Sequence, residues 1–447
     1  MASSRTEKWT ELLGYVALSA GMAVAASSYL VLGLLARGHS LGSLALVLGL
    51  ACAMCLLLAL ALGEMSSRFP SAPGIRTYLR RAFDDRTSLF FTYVMMLIIP
   101  LVAWVEIKVF LAALLPQAGA ALQCLVAALL VLALAWLNLR EHHVPRHVQT
   151  LVFCLLVVLS FGLSALGLQA PVASAAEAAA GPAFSLAMLG EGVGLSFFLF
   201  VGFEWVAPMA RTPAAARQAV PWSMVLAVLL LGAMYLAFGL ALKQALPAAR
   251  LAASAAPHVT LGEHLLGAPG RWAAQALSLF ALLTTLNAGL LGATRLVYGL
   301  AREQALGPRA SAWLRNLSPR GVPSHAVLAL ALASLLSALW VIAGNHAAAV
   351  AGVGAGLYTL VYAVFAAAHV RLRQLPNPWP GFQARVPVAV YGLLAVLATC
   401  VAGATVLSVV QDQPLAMLAL LAFAVAALGL SHRVAQGKQM QAALPTH

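Results

Sequence analysis

The sequence is dominated by long apolar runs that few charged residues interrupt. A helix that crosses the hydrocarbon core of a bilayer needs about 20 mostly apolar residues, and this rule predicts twelve spans. The predicted spans are 12–36, 41–63, 89–115, 119–138, 148–168, 187–210, 222–243, 271–299, 325–344, 347–369, 387–409 and 413–432. Lipid offers no partners to backbone groups, so spans of this length are expected to be helices. The sequence therefore predicts an all-α integral membrane protein.

The composition excludes a separate soluble domain. Apolar residues make up 62% of the 447 residues and charged residues only 9%, whereas a soluble domain carries about 25% charged residues. The five cysteines, Cys52, Cys55, Cys124, Cys154 and Cys400, all fall in predicted spans, and we expect free thiols. The C-x-x-C pair has no His or second pair nearby, so packing is the favoured interpretation and no metal or cofactor is predicted.

The basic residues predict the orientation of the chain, because cytoplasmic loops collect Lys and Arg. With both termini cytoplasmic, most of the 26 basic residues fall on the cytoplasmic side. The exceptions are Arg37, Lys108, Lys243, Arg250 and Arg271. This distribution predicts a multi-pass protein of the inner (plasma) membrane and explains the net charge of +13 without nucleic-acid binding. The apolar run to Ala36 is too long for a signal peptide, which favours an uncleaved first span.

A carboxylate stands in the middle of the sixth predicted span, in the stretch LSFFLFVGFEWVAPMARTP from Leu195 to Pro213. Gly202 and Pro208 are local helix breakers, and Gly202 lies about 20 Å into the span at 1.5 Å per residue. An ionisable residue at that depth is costly and indicates a functional site. The functional hypothesis therefore centres on Glu204, and the alternative is a protonated or paired Glu204 with a purely structural role.

The first predicted span contains a second candidate break, between Ser19 and Gly33, which is rich in small residues. Interrupted helices in corresponding positions of two halves are typical of transporters built from inverted repeats. We therefore predict a five-helix repeat at 12–168, an inverted five-helix repeat at 187–369 and two additional helices at 387–432. A cytoplasmic N-terminus at 1–11 and a cytoplasmic tail at 433–447 flank these units.

Three motifs carry a resemblance that covers nearly the whole chain. ALGEMSSRFPSAPGIRTYLRRAF, from Ala61 to Phe83, is similar to the turn after the second helix of the amino acid–polyamine–organocation (APC) transporters. FFLFVGFEWVA, from Phe197 to Ala207, resembles their unwound sixth helix, and ATRLVYGLAREQALGP, from Ala293 to Pro308, resembles the end of their eighth helix. The resemblance implies twelve helices, five plus five inverted and two more, with helices one and six broken. It also implies alternating access to a substrate held between helices one, three, six, eight and ten.

The chain departs from the family pattern at three places. Where the family often has Gly-Ser-Gly in the first break, this chain has Ala25, Ala26 and Ser27, which makes capture of a substrate carboxylate less assured. MARTP replaces the acidic pair expected after the sixth-helix break. Leu156 stands where some proton-coupled members have a Lys, which argues against that coupling device.

The resemblance implies secondary transport of an amino acid, of the amino acid permease type, as an exchanger or a proton-coupled permease. A polyamine or other organic amine is the alternative substrate, and a membrane-embedded enzyme or a sensor is a less favoured function. The predicted partners are a small-molecule substrate and the lipid bilayer. The sequence defines neither the preferred solute nor the oligomeric state.

The candidate substrate-binding residues lie at the two breaks. They are Ala25, Ala26, Ser27, Ser28, Phe200, Val201, Gly202, Phe203, Glu204 and Trp205. We expect the amides around Ser27 to take a substrate carboxylate, because a helix N-terminus favours anions, and Glu204 to meet the amine or a proton. Phe200, Phe203 and Trp205 are candidate gate residues, since aromatic faces suit cations.

Further candidates lie elsewhere in the predicted spans. Glu106 is a candidate substrate or proton site, together with Tyr29, Thr285 and Asn287. Lys108 is expected to extend toward the outer interface. Glu64, at the end of the second span, is expected to have a structural role next to backbone groups or an Arg.

Overall fold

The computed structural model describes residues 5–70, 74–140, 146–173, 185–210, 212–344, 347–376, 381–412 and 414–443. Those ranges contain helices and loops and no strand. The helices are α1 (Arg5–Ala23), α2 (Ala26–Gly38), α3 (Leu41–Arg68), α4 (Gly74–Ala82), α5 (Asp85–Leu114), α6 (Ala120–Leu139), α7 (Arg146–Gln169), α8 (Leu186–Phe198), a 3₁₀ helix (Phe203–Met209), α9 (Pro213–Arg217), α10 (Ala219–Ala245), α11 (Ala248–Ala253), α12 (Pro257–Leu266), α13 (Ala268–Arg302), α14 (Pro308–Leu314), α15 (Ser324–Gly344), α16 (Ala347–Leu372), α17 (Val388–Asp412) and α18 (Pro414–Ala443). The all-α class is confirmed.

Several of these helices are long and apolar enough to cross a membrane. Within the described ranges there are eight such helices, and a ninth if α1 and α2 form one span. The count of twelve stays a prediction. The last helix continues to Ala443, beyond the end at 432 that the sequence predicts, so part of the predicted tail is helical.

The first predicted span is broken between α1 and α2, whose axes differ by 58°. Ala25 precedes α2 in an extended conformation, with φ −111° and ψ 156°. Its amide donates to the Ser28 hydroxyl at 3.3 Å, and the Val24 carbonyl accepts a hydrogen bond from the Thr285 hydroxyl at 2.9 Å. Side chains therefore take over backbone groups that a continuous helix would pair internally.

The sixth predicted span is broken after α8. Gly202 has φ +118°, a left-handed conformation that favours glycine, and the 3₁₀ helix that follows includes Pro208. A Cβ on Gly202 would lie 3.1 Å from the backbone carbonyl of Met22. The Ser19 hydroxyl also donates to the Phe203 carbonyl at 2.7 Å. The two breaks are therefore in direct contact, which places exposed backbone groups of both helices at one point of the fold.

Ion pairs join distant helices at one end of the bundle. The Arg76 side chain, only 1% exposed, lies 2.6 Å from Asp85 and 2.8 Å from Glu303. Glu64, also 1% exposed, lies 2.9 Å from Arg68 and 2.7 Å from Arg373. The Glu64 pairing agrees with the structural role expected for that residue. Buried charges are costly unless paired, and these pairs connect α4 to α5 and to the residue after α13, and α3 to the residue after α16.

Candidate functional site

A largely apolar cavity lies against both helix breaks. The space between its walls, which includes open solvent at its mouth, is about 740 Å³, and its water-accessible part is about 70 Å³. The lining residues are Met22, Ile107, Val131, Leu134, Val201, Gly202, Thr285, Leu286, Gly289, Leu290, Leu330, Ala331, Ser334 and Tyr358. Small-molecule sites are typically concave, mostly apolar and supplied with a few polar groups, so this cavity is the candidate substrate site.

Three of the residues predicted from the sequence contribute to the wall of this cavity. Val201 and Gly202 come from the second break, and Thr285 comes from α13. Thr285 also bonds to the Val24 carbonyl, so it both faces the cavity and holds the first break open. The polar part of the cavity wall is therefore formed by the unwound backbone at Val201 and Gly202 and by the Thr285 hydroxyl.

The Glu204 carboxyl group is directed to its own segment and to α16. One of its oxygens accepts hydrogen bonds from the Gly202 amide at 3.2 Å and from the Tyr362 hydroxyl at 2.9 Å. Glu204 is 1% exposed, and its other oxygen has no hydrogen-bond partner within the described residues. It is not among the described residues that line the cavity. In this conformation Glu204 supports the break from behind the wall.

The Glu106 carboxyl group is directed to the first break. Both of its oxygens lie 3.3 Å from the amide nitrogen of Ser27, and the Ser27 hydroxyl also donates to it. Glu106 is fully buried, and its neighbour Ile107 reaches the cavity instead. The donor that the sequence analysis assigns to a substrate carboxylate is thus occupied by a carboxylate of the protein.

The remaining candidates at the first break are buried among aromatic and hydroxyl side chains. The Tyr29 hydroxyl lies 2.7 Å from the Ser160 hydroxyl, and its ring packs 4.9 Å from the rings of Phe238 and His258. Ala25, Ala26 and Ser28 are buried, and the Ser28 hydroxyl lies 3.4 Å from that of Tyr235. These contacts join α2 to α7, α10 and α12.

The aromatic candidates at the second break pack into the core of the bundle. Phe200 and Phe203 are fully buried, 5.7 Å from the Tyr235 ring and 5.9 Å from the Tyr362 ring respectively. The Trp205 indole donates to the Tyr358 hydroxyl at 3.2 Å. Of these aromatic residues only Tyr358 lines the cavity. Trp205 lies behind the cavity wall and contacts Tyr358.

Asn287 lies away from this set. Its side-chain oxygen accepts from the Asn138 amide at 3.5 Å, which connects α13 to α6. Asn287 is not among the described residues of the cavity wall.

Sequence reasoning missed three tyrosines at the site. Tyr358 and Tyr362 are four residues apart on α16 and therefore share one helix face, a spacing that was a usable signal. Tyr235 donates to the Ala23 carbonyl at 3.1 Å, and no local pattern marks it. The five cysteines are free, as expected, and the described residues hold no cluster of three His, Cys, Asp or Glu side chains.

Comparisons with known proteins agree on the class of this molecule. The model of the amino acid permease family (AA_permease_2) matches residues 11–427. An uncharacterized amino acid permease of Bacillus subtilis (strain 168), YecA, is 25% identical over 255 residues, which cover 52% of this chain and 55% of YecA. The chain thus spans about half the length of this curated relative in the match.

Two solved structures show the same fold. One is the manganese transporter of Eremococcus coleocola in complex with an aromatic bis-isothiourea substituted compound, with a TM-score of 0.62 and 15% identity. The other is a point mutant of the Eremococcus coleocola manganese transporter, with a TM-score of 0.63 and 14% identity. In both, the likeness covers 97% of this chain and 96% of the other chain.

Proposed function

The chain belongs to the amino acid permease family and is a multi-pass membrane transporter, and on this premise we propose that it carries neutral amino acids with apolar side chains by alternating access. The observation that carries the proposal is the apolar cavity bounded by both helix breaks. The aliphatic wall suits an apolar side chain, and the unwound backbone offers donors and acceptors to an amino acid's carboxylate and amine.

The residues around the cavity have different proposed roles. Val201, Gly202, Thr285 and Tyr358 contact the solute directly. The amides of Ala26 and Ser27 take the substrate carboxylate when they become available, supported by the N-terminus of α2. Glu204 holds the second break in shape through the Gly202 amide and Tyr362. Phe200, Phe203 and Trp205 keep water from the back of the site.

An organic amine remains the second candidate substrate, because two buried carboxyl groups, Glu106 and Glu204, stand close to the breaks. The cavity wall itself favours the amino acid. No described Asp or Glu lines it, and a cation without a partner is costly in such surroundings.

The test is uptake of labelled L-leucine, L-alanine and L-phenylalanine into liposomes that contain the purified protein, with and without the same solute inside. We expect saturable uptake that internal solute accelerates. Liposomes without protein provide the baseline. Transport of amines with no amino acid uptake would contradict the proposal, and binding without counterflow would indicate a sensor or an enzyme.

A matched pair of variants ties uptake to the cavity. Thr285→Val removes the hydroxyl at the wall, and we expect its KM for leucine to rise about three- to tenfold, the effect of one lost hydrogen bond. Thr399→Val makes the same change at an exposed site on α17 and should leave KM unchanged. Equal KM values for the two variants would remove Thr285 from the site.

We also propose that the protein resides in the inner membrane with both termini cytoplasmic. The basic residues support this orientation. Reporter domains fused to each terminus should be active only in the cytoplasm, and an exported reporter at either end would contradict it.

A further inference from the structure

The occupant of the first break is the feature that the proposed function leaves unexplained. Ser27 lies in the first turn of α2, where backbone amides lack partners within the helix. The Glu106 carboxylate fills that position from α5, 79 residues further along the chain, with both oxygens 3.3 Å from the Ser27 amide nitrogen. The Ala26 amide lies next to the Ser27 amide in the same turn of α2.

The charge on Glu106 has no counter-ion among the described side chains. No Lys, Arg or His lies within ion-pair distance of it in the ranges that the structure describes. The ionisable side chain that interacts electrostatically with it is Tyr235 of α10. Lys108 is two residues along α5 and cannot share its helix face. A phenol is neutral near pH 7, so the stabilisation comes from the Ser27 hydroxyl and the α2 amides.

These amides can serve one carboxylate at a time. Two carboxylates that share a buried site repel each other strongly, and one of them then holds a proton. An amino acid that presents its carboxylate to the Ser27 amide therefore requires Glu106 to leave or to become neutral. Neutralisation needs only a proton, which cancels the charge that the substrate carboxylate brings.

We propose that Glu106 is an internal competitor for the substrate carboxylate and carries the proton that enters with each amino acid. This inference rests on the proposed function. A proton from the entry side binds the Glu106 carboxylate, the protonated group releases the Ser27 amide, and the substrate carboxylate accepts that amide. The first break holds one negative charge before and after the exchange. On the exit side the substrate leaves, Glu106 loses its proton to water and returns to Ser27. The cycle moves one proton with one zwitterion and is electrogenic.

The same geometry separates amino acids from amines. An amine without a carboxylate does not compete with Glu106 for the Ser27 amide. Its binding therefore requires no proton on Glu106. Leucine and 3-methylbutylamine share an apolar side chain and an amino group and differ in the carboxylate. They are therefore the probes that isolate the proposed competition.

The experiment measures uptake of labelled leucine over a pH series, proton entry with a dye trapped in the liposomes, and displacement of bound leucine by 3-methylbutylamine. For the wild type we expect leucine uptake to fall about tenfold per pH unit on the alkaline side, as one linked proton requires. Leucine should carry protons inward with it. Binding of 3-methylbutylamine should be weaker than that of leucine, since no described Asp or Glu lines the wall, and it should not weaken further over the same range.

Glu106→Gln cannot ionise and imitates the protonated state. We expect its leucine counterflow to continue, with a rate that changes less than about threefold across the pH series, which is less than the tenfold change that one pKa unit represents. We also expect proton entry to be lost. Glu191→Gln makes the same substitution at an exposed site on α8 and should behave as wild type. If Glu106→Gln does not fold, Ser27→Ala keeps the amide and removes one donor to the carboxylate. Its leucine uptake should then persist about half a pH unit to one unit further to the alkaline side.

The outcomes separate the two proposals. No uptake of leucine, alanine or phenylalanine by the wild type overturns the proposed function and this inference with it. Leucine uptake that is indifferent to pH, or proton entry that survives in Glu106→Gln, overturns this inference alone. A Glu106 with a purely structural role would lower the activity of Glu106→Gln at every pH without removing proton entry, and that result also overturns it.

Discussion

The two helix breaks meet at one cavity, but their backbone groups are satisfied from different sources. At the second break the Gly202 amide is taken by Glu204, two residues further along the same segment. At the first break the Ser27 amide is taken by Glu106 of α5. The Gly202 amide is thus paired within its own segment, whereas the Ser27 amide depends on the position of another helix.

This difference indicates which break is able to respond to a solute. A capping group on the same segment moves with that segment, so the Gly202 amide keeps its partner when helices shift. A capping group on another helix is released when the helices separate or when its charge is cancelled. We therefore expect the second break to be a fixed part of the wall and the first to be the changeable part.

The largest expected effect is loss of the local cap at the second break. Glu204→Ala leaves the Gly202 amide and the Tyr362 hydroxyl without acceptors, and each buried unpaired donor costs about 1–3 kcal/mol. We expect the free energy of unfolding to fall by about 2–6 kcal/mol, measured as a lower thermal unfolding midpoint in detergent. Glu204→Gln keeps an acceptor and should recover most of the loss. A Glu204→Ala protein as stable as the exposed-site variant Glu191→Ala would contradict the proposed cap.

A smaller effect is expected from the glycine at the second break. Gly202→Ala places a side chain at φ +118°, with its Cβ 3.1 Å from the Met22 carbonyl, and backbone strain of this kind costs about 1–3 kcal/mol. Gly321→Ala is the matched control, since Gly321 has φ +80° and open space around it. We expect leucine uptake to be lost in Gly202→Ala and kept in Gly321→Ala. Similar losses in both would mean that the contact between the breaks is unimportant.

The smallest effects compare one tyrosine at each break. Tyr362→Phe removes a donor to the Glu204 carboxyl, and Tyr235→Phe removes a donor to the neutral Ala23 carbonyl. Hydrogen bonds between membrane helices contribute about 0.6 kcal/mol on average and at most about 1.7 kcal/mol. We expect Tyr362→Phe near the upper figure and Tyr235→Phe near the average, by thermal unfolding. The reverse order would show that the first break is the more strongly held.

Much of the second break could be predicted from the sequence. Gly202 and Glu204 stand in an apolar run, and the cost of placing them there indicates both unwinding and function. The direction of the Glu204 side chain could not be predicted, because its partner Tyr362 is 158 residues away and every residue of the short 3₁₀ helix except Pro208 is buried. Local sequence places the acid at the break without selecting its partner.

The first break was harder to place. The residues at the break, Val24, Ala25 and Ala26, include neither Gly nor Pro, and Ala is the strongest helix former. The helix ends there because Ser28 takes the Ala25 amide and Thr285 of α13 takes the Val24 carbonyl. The bond between Ser28 and the Ala25 amide could be predicted, since the two residues are three positions apart. The bond from Thr285 to the Val24 carbonyl forms only when the helices pack together. The role of Glu106 as occupant of the Ser27 amide was missed for the same reason.

Gly202 lies close to Met22, and the Ser19 hydroxyl donates a hydrogen bond to the Phe203 carbonyl. These contacts connect the two helix breaks directly. Because this contact joins them, we expect α1 and the 3₁₀ helix to move together. Half-turned intermediates would require this bond to break first. A transport cycle that keeps this contact therefore moves the two breaks together.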